Sequence, residues 1–87
     1  SEANNLNDLM SVSKSMIGTG TSLAGSTIEK STIMDNTTIR SGCKIYNSLI
    51  GQNCDVGHDC VIQNTIIQNN SIIPNGTVLS DCKWPID

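Results

Sequence analysis

Large aromatic side chains are nearly absent from this chain of 87 residues, which contains one Trp, one Tyr and no Phe. A core built on packed rings is therefore excluded, and aliphatic side chains must fill the interior. The length allows one small domain and excludes a large two-domain enzyme.

Charge and long apolar runs are also scarce. Charged residues make up 15% of the chain and the net charge is −3. This balance provides no basic surface for a phosphate backbone, so we expect no direct nucleic-acid binding. No apolar run exceeds four residues, which is too short for a membrane span or for the apolar part of a secretory signal. We therefore expect no membrane contact and a cytoplasmic location.

The sequence does contain an aliphatic residue at every fifth or sixth position. Neither an α-helix nor an alternating strand gives this spacing. Three consecutive spacings add to 16 or 17 residues, which is one coil of a three-sided solenoid, and about four coils fit within residues 17–83. The column consists of Ile17, Leu23, Ile28, Ile33, Ile39, Ile45, Ile50, Val56, Ile62, Ile67, Ile73 and Leu79.

A column of small residues follows the aliphatic column by four positions. We expect these side chains to point inward beside the aliphatics. They are Thr21, Thr27, Thr37, Cys43, Cys54, Cys60, Ser71 and Thr77.

A third column follows the aliphatic residues by three positions and holds Gly, Asn or Asp. These residue types tolerate positive φ, so we expect corners there. Asn47 and Asn64 stand seventeen residues apart and are predicted to stack and hydrogen-bond between coils. The predicted corners are Gly20, Asn36, Gly42, Asn53, Asp59, Asn70 and Gly76.

Three segments carry a resemblance to a known family: Ile17-Gly-Thr-Gly-Thr-Ser, Ile50-Gly-Gln-Asn-Cys-Asp and Val56-Gly-His-Asp-Cys-Val. They resemble the hexapeptide-repeat family over roughly residues 15–82. The resemblance implies an all-β fold, a left-handed parallel β-helix of about four coils. We expect residues 1–16 to form a linker or short N-terminal segment, residues 17–83 the β-helix, and residues 84–87 a C-terminal cap with Trp84 and Pro85.

The cysteines and the single histidine do not form a recognisable chemical site. Cys43, Cys54 and Cys60 occupy the small inward column, and a strand spacing of about 4.8 Å exceeds the roughly 3.8 Å between the Cβ atoms of a disulfide. We expect reduced packing thiols, and no metal site or cofactor, because there is no Cys-x-x-Cys and only one His.

His58 is a candidate general base, because acyltransferases of the hexapeptide family use a His in that role. Those enzymes usually interrupt their repeats with a long loop that builds the acceptor site. The period here is unbroken from Ile33 to Leu79. We therefore expect His58 to be a solvated turn residue, no catalytic residue in the chain, and no enzymatic activity.

Apolar residues also precede several inward aliphatics, at positions that point outward. Leu49 and Ile66 are seventeen residues apart, as are Val61 and Val78. We expect one or both pairs to form an exposed apolar stripe that contacts a partner.

Some steps of the repeat resemble a particular group of solenoids. Ser13-Lys-Ser-Met-Ile-Gly18, Asn47-Ser-Leu-Ile-Gly51 and Asn64-Thr-Ile-Ile67 are similar to the C-terminal solenoid of the gamma subunit of eukaryotic translation initiation factor 2B, and Ile73-Pro-Asn-Gly-Thr-Val78 is at least as similar to that of the epsilon subunit. The resemblance implies a non-catalytic assembly domain of a guanine-nucleotide exchange factor. Its partners would be other subunits of that complex, especially an epsilon-type subunit, in addition to self-association.

Two alternatives remain open. The chain also fits the C-terminal oligomerisation or regulatory domain of a sugar-1-phosphate nucleotidyltransferase, such as mannose-1-phosphate guanylyltransferase. An autonomous hexapeptide acyltransferase is the third interpretation.

Overall fold

The computed structural model describes residues 12–13 and 15–86, and this part consists of short parallel strands with no helix. Accordingly, no helix within it is long and apolar enough to cross a membrane. The strands form three sheets, which are the three sides of a solenoid. Side A consists of β1 (Val12–Ser13), β3 (Thr27–Glu29), β6 (Lys44–Tyr46), β9 (Val61–Gln63) and β12 (Val78–Ser80).

The other two sides have strands of two residues. Side B consists of β2 (Met16–Ile17), β4 (Thr32–Ile33), β7 (Leu49–Ile50), β10 (Ile66–Ile67) and β13 (Lys83–Trp84). Side C consists of β5 (Thr38–Ile39), β8 (Asp55–Val56) and β11 (Ile72–Ile73), and a single bridge from Ser22 to Thr38 extends it by one coil.

The strand register confirms the repeat length predicted from the sequence. On side A, Ile28 pairs with Ile45 and Ile45 pairs with Ile62, at intervals of seventeen residues. On side B, Ile17 pairs with Ile33 at an interval of sixteen. The predicted all-β parallel solenoid of about four coils is confirmed.

The interior is the predicted aliphatic column. Ile17 is half-buried at the N-terminal end of the solenoid, and every later member of the column is no more than 6% exposed. The strands from β2 to β12 place this residue inside and its predecessor outside, because successive side chains alternate across a sheet. Burial of aliphatic surface in this narrow interior is the main favourable contribution to folding.

The corners adopt the backbone conformation that their residue types favour. All seven predicted corner residues have positive φ, between 57° and 81°. The structure also has corners that were not predicted, and they lie two residues after an inward aliphatic residue. They occur where one side of a coil is one residue shorter than most sides. These include Lys30, Asn47, Asn64 and Asp81.

The prediction for Thr27 is wrong. Thr27 lies in β3 and is half-buried in the outward position, whereas Ser26 is 2% exposed and takes the inward place. The chain from Leu23 to Ile28 has one residue fewer than most sides, so its turn at Ala24 and Gly25 brings the inward position forward by one residue.

Buried hydroxyl groups join neighbouring coils from within. Thr37 Oγ1 donates to the carbonyl oxygen of Gly51 at 2.6 Å and accepts from the backbone N–H of Cys54 at 3.0 Å. Ser26 Oγ makes the same two bonds, to the Arg40 carbonyl oxygen and from the Cys43 N–H. These hydroxyl groups thus provide hydrogen-bond partners for backbone N–H and C=O groups that lie at the corners, outside the strands.

Strand pairing begins before residue 17. Val12 pairs with Ile28, so β1 lies within the segment that the sequence assigned to a linker. At the other end Trp84 pairs with Ile67 and packs half-buried against the core. Trp84 therefore continues side B by one strand, and the cap expected for residues 84–87 stays a prediction.

Candidate assembly surface

The predicted pair Leu49 and Ile66 lies at the centre of side B. The two residues are direct partners in the register between β7 and β10, and their side chains are 38% and 54% exposed. Met16 extends the same outward row toward the N-terminal end and is 72% exposed. Thr32 separates it from Leu49. At the other end of the row, the exposed Lys83 is the register partner of Ile66. The outward row of side B is therefore apolar at three of its five positions, and its central pair lies between a threonine and a lysine.

Shallow grooves run along both flanks of this row. One groove, of about 360 Å³, is lined by Leu49 and Ile66 together with Asn47 and Asn64. The opposite groove, of about 380 Å³, shares Leu49 and Ile66 and adds Met34. A third depression of about 440 Å³ surrounds Met16 at the N-terminal end of the same side. A ridge between two grooves is a shape that a complementary surface can interlock with.

An amide ladder forms the wall of the first groove. Asn47 Nδ2 donates to Asn64 Oδ1 at 2.6 Å, as the sequence predicted, and Asn64 Nδ2 donates to Asp81 Oδ1 at 2.9 Å. The carboxylate of Asp81 has no proton to donate, so it fixes the direction of both amides. Asp81 and Lys30 were not predicted as members of this row, although both keep its seventeen-residue spacing.

The second predicted pair lies on a different side of the solenoid. Val61 and Val78 are register partners on side A; Val61 is half-buried and Val78 is 70% exposed. Lys44 precedes Val61 in the same row. The outward row of side A is therefore apolar only in its last two coils, and the structure does not bring the two predicted pairs together.

His58 occupies an exposed corner, which is the position predicted for it. Its Nδ1 lies 3.0 Å from Ser41 Oγ, one coil away, and its backbone N–H donates to Asn75 Oδ1 at 2.8 Å. The imidazole lines none of the three depressions described above. Within residues 15–86, no cluster of three or more His, Cys, Asp or Glu side chains could hold a metal ion.

The cysteines take the inward positions predicted for them. Cys43, Cys54 and Cys60 are buried free thiols, and each donates to a backbone carbonyl oxygen of the next coil at 3.0 to 3.2 Å. Burial raises the pKa of Cys43, which favours the neutral thiol. These thiols therefore act as packing groups that also connect coils.

One ion pair stands out on side C. Arg40 and Asp55 form two parallel hydrogen bonds of 2.9 Å between guanidinium and carboxylate. The hydrogen bonds from Arg40 lower the pKa of Asp55, and those to Asp55 raise the pKa of Arg40. Both side chains are close to half-exposed, at 45% and 43%, so solvent screens the pair. The outward row of side C therefore runs from Thr38 through the charged Asp55 to the exposed Ile72.

Comparison with protein families identifies the repeat. The model of the GlmU-like C-terminal hexapeptide family matches residues 3–81, which is most of the chain. Comparison with curated proteins gives no match. Together with the three parallel sides, the family match supports the left-handed parallel β-helix expected from the sequence. The chain belongs to the GlmU-like C-terminal hexapeptide family.

Proposed function

We propose that this chain is a non-catalytic assembly domain that acts in the cytoplasm and associates with a second solenoid through side B. The observation that carries the proposal is the exposed row at Leu49 and Ile66, which is flanked by two grooves. Apolar side chains in this position lose contact with water only when another surface covers them.

The dimensions of the solenoid support side-by-side association. The described part measures 37 × 21 × 18 Å, so one long side offers on the order of 700 Å². A standard protein interface buries about 800 Å² on each partner. A long side is therefore close to the size that a stable contact between two copies requires.

The family match favours a sugar-1-phosphate nucleotidyltransferase as the parent protein. In that arrangement the solenoid follows a nucleotide-binding domain and organises the oligomer. The chemistry would then reside in the preceding domain, while this chain would set the distance and orientation between copies. The family description supports this parent more directly than it supports a translation factor.

An exchange-factor subunit is the second candidate, and the steps Asn47-Ser-Leu-Ile-Gly51 and Ile73-Pro-Asn-Gly-Thr-Val78 favour it. The partner would then be a homologous solenoid of an epsilon-type subunit rather than an identical copy. Side B would serve both parents in the same way, because its apolar row does not depend on the identity of the preceding domain.

The first experiment measures the mass of the chain in solution by sedimentation velocity. Replacing Leu49 and Ile66 with Lys places two charges in the proposed contact. We expect the wild type to be an oligomer and this double variant to be a monomer. Ile72→Lys is the matched control, because Ile72 is a 73% exposed outward residue on side C and its replacement should leave the oligomer intact. An unchanged mass in the double variant, or dissociation by the control alone, would contradict the role of side B.

The second experiment distinguishes the two parents in the full-length protein. Formation of a nucleoside diphosphate sugar from a sugar 1-phosphate and a nucleoside triphosphate would support the nucleotidyltransferase parent. Stable, stoichiometric association with exchange-factor subunits, without that activity, would support the alternative.

A further inference from the structure

The chain contains two prolines, and both lie at equivalent places in the last coil. Pro74 directly follows β11 on side C, and Pro85 directly follows β13 on side B. In each case the proline stands one residue after the inward side chain of the final strand, Ile73 or Trp84.

On side B, this position normally supplies a bond to the next coil. In each earlier coil the backbone N–H of the residue after the strand donates to a carbonyl oxygen of the coil that follows. The bonds, of 2.7 to 3.0 Å, run from Gly18 to Ile33, from Met34 to Ile50, from Gly51 to Ile67 and from Gln68 to Trp84. The next position in this series is Pro85, which has no N–H to donate.

Side C repeats the arrangement. The backbone N–H of Arg40 donates to the carbonyl oxygen of Val56 at 3.0 Å, and that of Gly57 donates to Ile73 at 2.8 Å. Seventeen residues after Gly57 stands Pro74. Two of the three sides therefore lose the same donor in the same coil, while side A has no proline in its last strand.

The last coil also exposes apolar side chains around its circumference. Ile72 on side C is 73% exposed, Val78 on side A is 70% exposed, and Ile86 after side B is 63% exposed. An open sheet edge beside apolar side chains is a site where another chain can add strands. The end that carries the prolines therefore also carries three exposed apolar residues.

We propose that Pro74 and Pro85 terminate the solenoid edge and prevent a second copy from stacking end-on against the last coil. End-on stacking joins the first coil of one copy to the last coil of another, which is a head-to-tail contact that continues without closure. Because each such contact needs one C-terminal end, blocking that end is sufficient to stop the series.

The small cross-section makes the missing donors decisive. An end of about 21 × 18 Å offers on the order of 400 Å², roughly half of a standard interface per partner. A stacked pair would therefore depend on continuous backbone hydrogen bonds along all three sides. Removing a donor from two sides leaves a contact that is both small and incompletely bonded.

The test restores the donors in the 87-residue chain. The variant with Pro74→Ala and Pro85→Ala regains both N–H groups, and we expect its weight-average mass to rise with concentration beyond the wild-type value, with linear assemblies visible by electron microscopy. Pro74→Ala alone is the matched control, because side B remains blocked, and it should stay at the wild-type mass. A double variant that keeps its circular dichroism spectrum and also stays at the wild-type mass would overturn the proposal.

Two further variants keep the result interpretable. Pro74→Gly with Pro85→Gln copies the residues of the preceding coil, Gly57 and Gln68, and provides a second folded form should the alanine variant unfold. Placing the double proline replacement in the background of Leu49→Lys and Ile66→Lys separates the two contacts. End-on growth in that background supports the termination role irrespective of side B, whereas growth that requires an intact side B would contradict it.

Discussion

Asn75 Oδ1 accepts a hydrogen bond of 2.8 Å from the backbone N–H of His58, and it does so across Gly57 in the coil before it. The same bond links Asn69 to the N–H of Gln52 across Gly51. Glycine follows the inward aliphatic residue at these two positions because the Asn side chain of the next coil lies against the glycine α-carbon. That contact leaves no room for a Cβ atom.

Replacing Gly57 with Ala should destabilise the solenoid by steric contact alone. An added Cβ would lie 2.5 Å from Asn75 Oδ1 and 2.6 Å from the Asn75 backbone nitrogen. Accommodating it requires backbone movement, which typically costs about 1–3 kcal/mol. Chemical denaturation of Gly57→Ala measures this loss.

Two controls separate the causes. Gly76 has φ of +71°, and a Cβ added there would meet no atom within 4 Å. Gly76→Ala therefore measures the free-energy cost of a positive φ in the absence of a steric contact. Asn75→Ala removes the side-chain oxygen but leaves the backbone nitrogen in place. If the double variant Gly57→Ala with Asn75→Ala were as stable as Asn75→Ala alone, the backbone nitrogen of residue 75 would not contribute to the steric contact.

Thr37 should be sensitive to the loss of its hydroxyl group. Its Oγ1 is buried and bonds both the Gly51 carbonyl oxygen and the Cys54 N–H. Thr37→Val keeps the shape but leaves these two groups without a partner, and each such group costs about 1–3 kcal/mol. Thr37→Ser keeps both bonds and loses one methyl group, which is worth about 0.8 kcal/mol. A larger drop in unfolding free energy for Val than for Ser is the expected result; equal losses would show that packing dominates.

Lys30 should gain stability when replaced by Asn. It occupies a corner with φ of +52°, a conformation that costs a residue with a long side chain about 1–2 kcal/mol. Asn tolerates this conformation, and its side chain would extend the amide ladder from Asn47 by one step. For a domain of this size, 1 kcal/mol corresponds to about 4–8 °C in Tm, which thermal unfolding detects. Lys44→Asn, on a strand of side A, should show no such gain.

Asp55 should show a pH-dependent contribution to stability. Hydrogen bonds from Arg40 lower its pKa in the folded protein, so the folded state binds a proton less readily than the unfolded chain. The contribution is fully present above the unfolded pKa of Asp and is lost as the pH falls through the lowered folded value. The stability difference between the wild type and Asp55→Asn should therefore shrink on acidification. A difference that stays constant across that range would exclude the ion pair as its source.

The sequence predicted the interior better than the corners because the two depend on different constraints. The inward position of a strand is aliphatic in nearly every coil, as at Ile28, Ile45 and Ile62, and the period is therefore visible in a single sequence. A corner requires only a tolerable backbone conformation, so Lys30 stands where Asn47 and Asn64 stand one and two coils later. Such a substitution conceals the equivalence of the three positions.

The candidate surface could be predicted only in part for a related reason. The seventeen-residue spacing identified Leu49 with Ile66 and Val61 with Val78. It did not indicate that Thr32 interrupts one row or that Lys44 precedes the other. Outward positions are not held to one residue type, so each must be located in the folded chain before its exposure is known.

The uniform register has a consequence for how the chain reaches its folded state. Strand pairs join residues sixteen or seventeen positions apart, as in Ile17 with Ile33 and Ile50 with Ile67, so each pairing step closes a loop of nearly the same length. Such a chain has no distant partner to find, and the entropy of closing each loop stays nearly constant. Pairing can therefore propagate from one coil to its neighbour at a similar entropic cost at every step, which is compatible with growth in the order of synthesis on the ribosome.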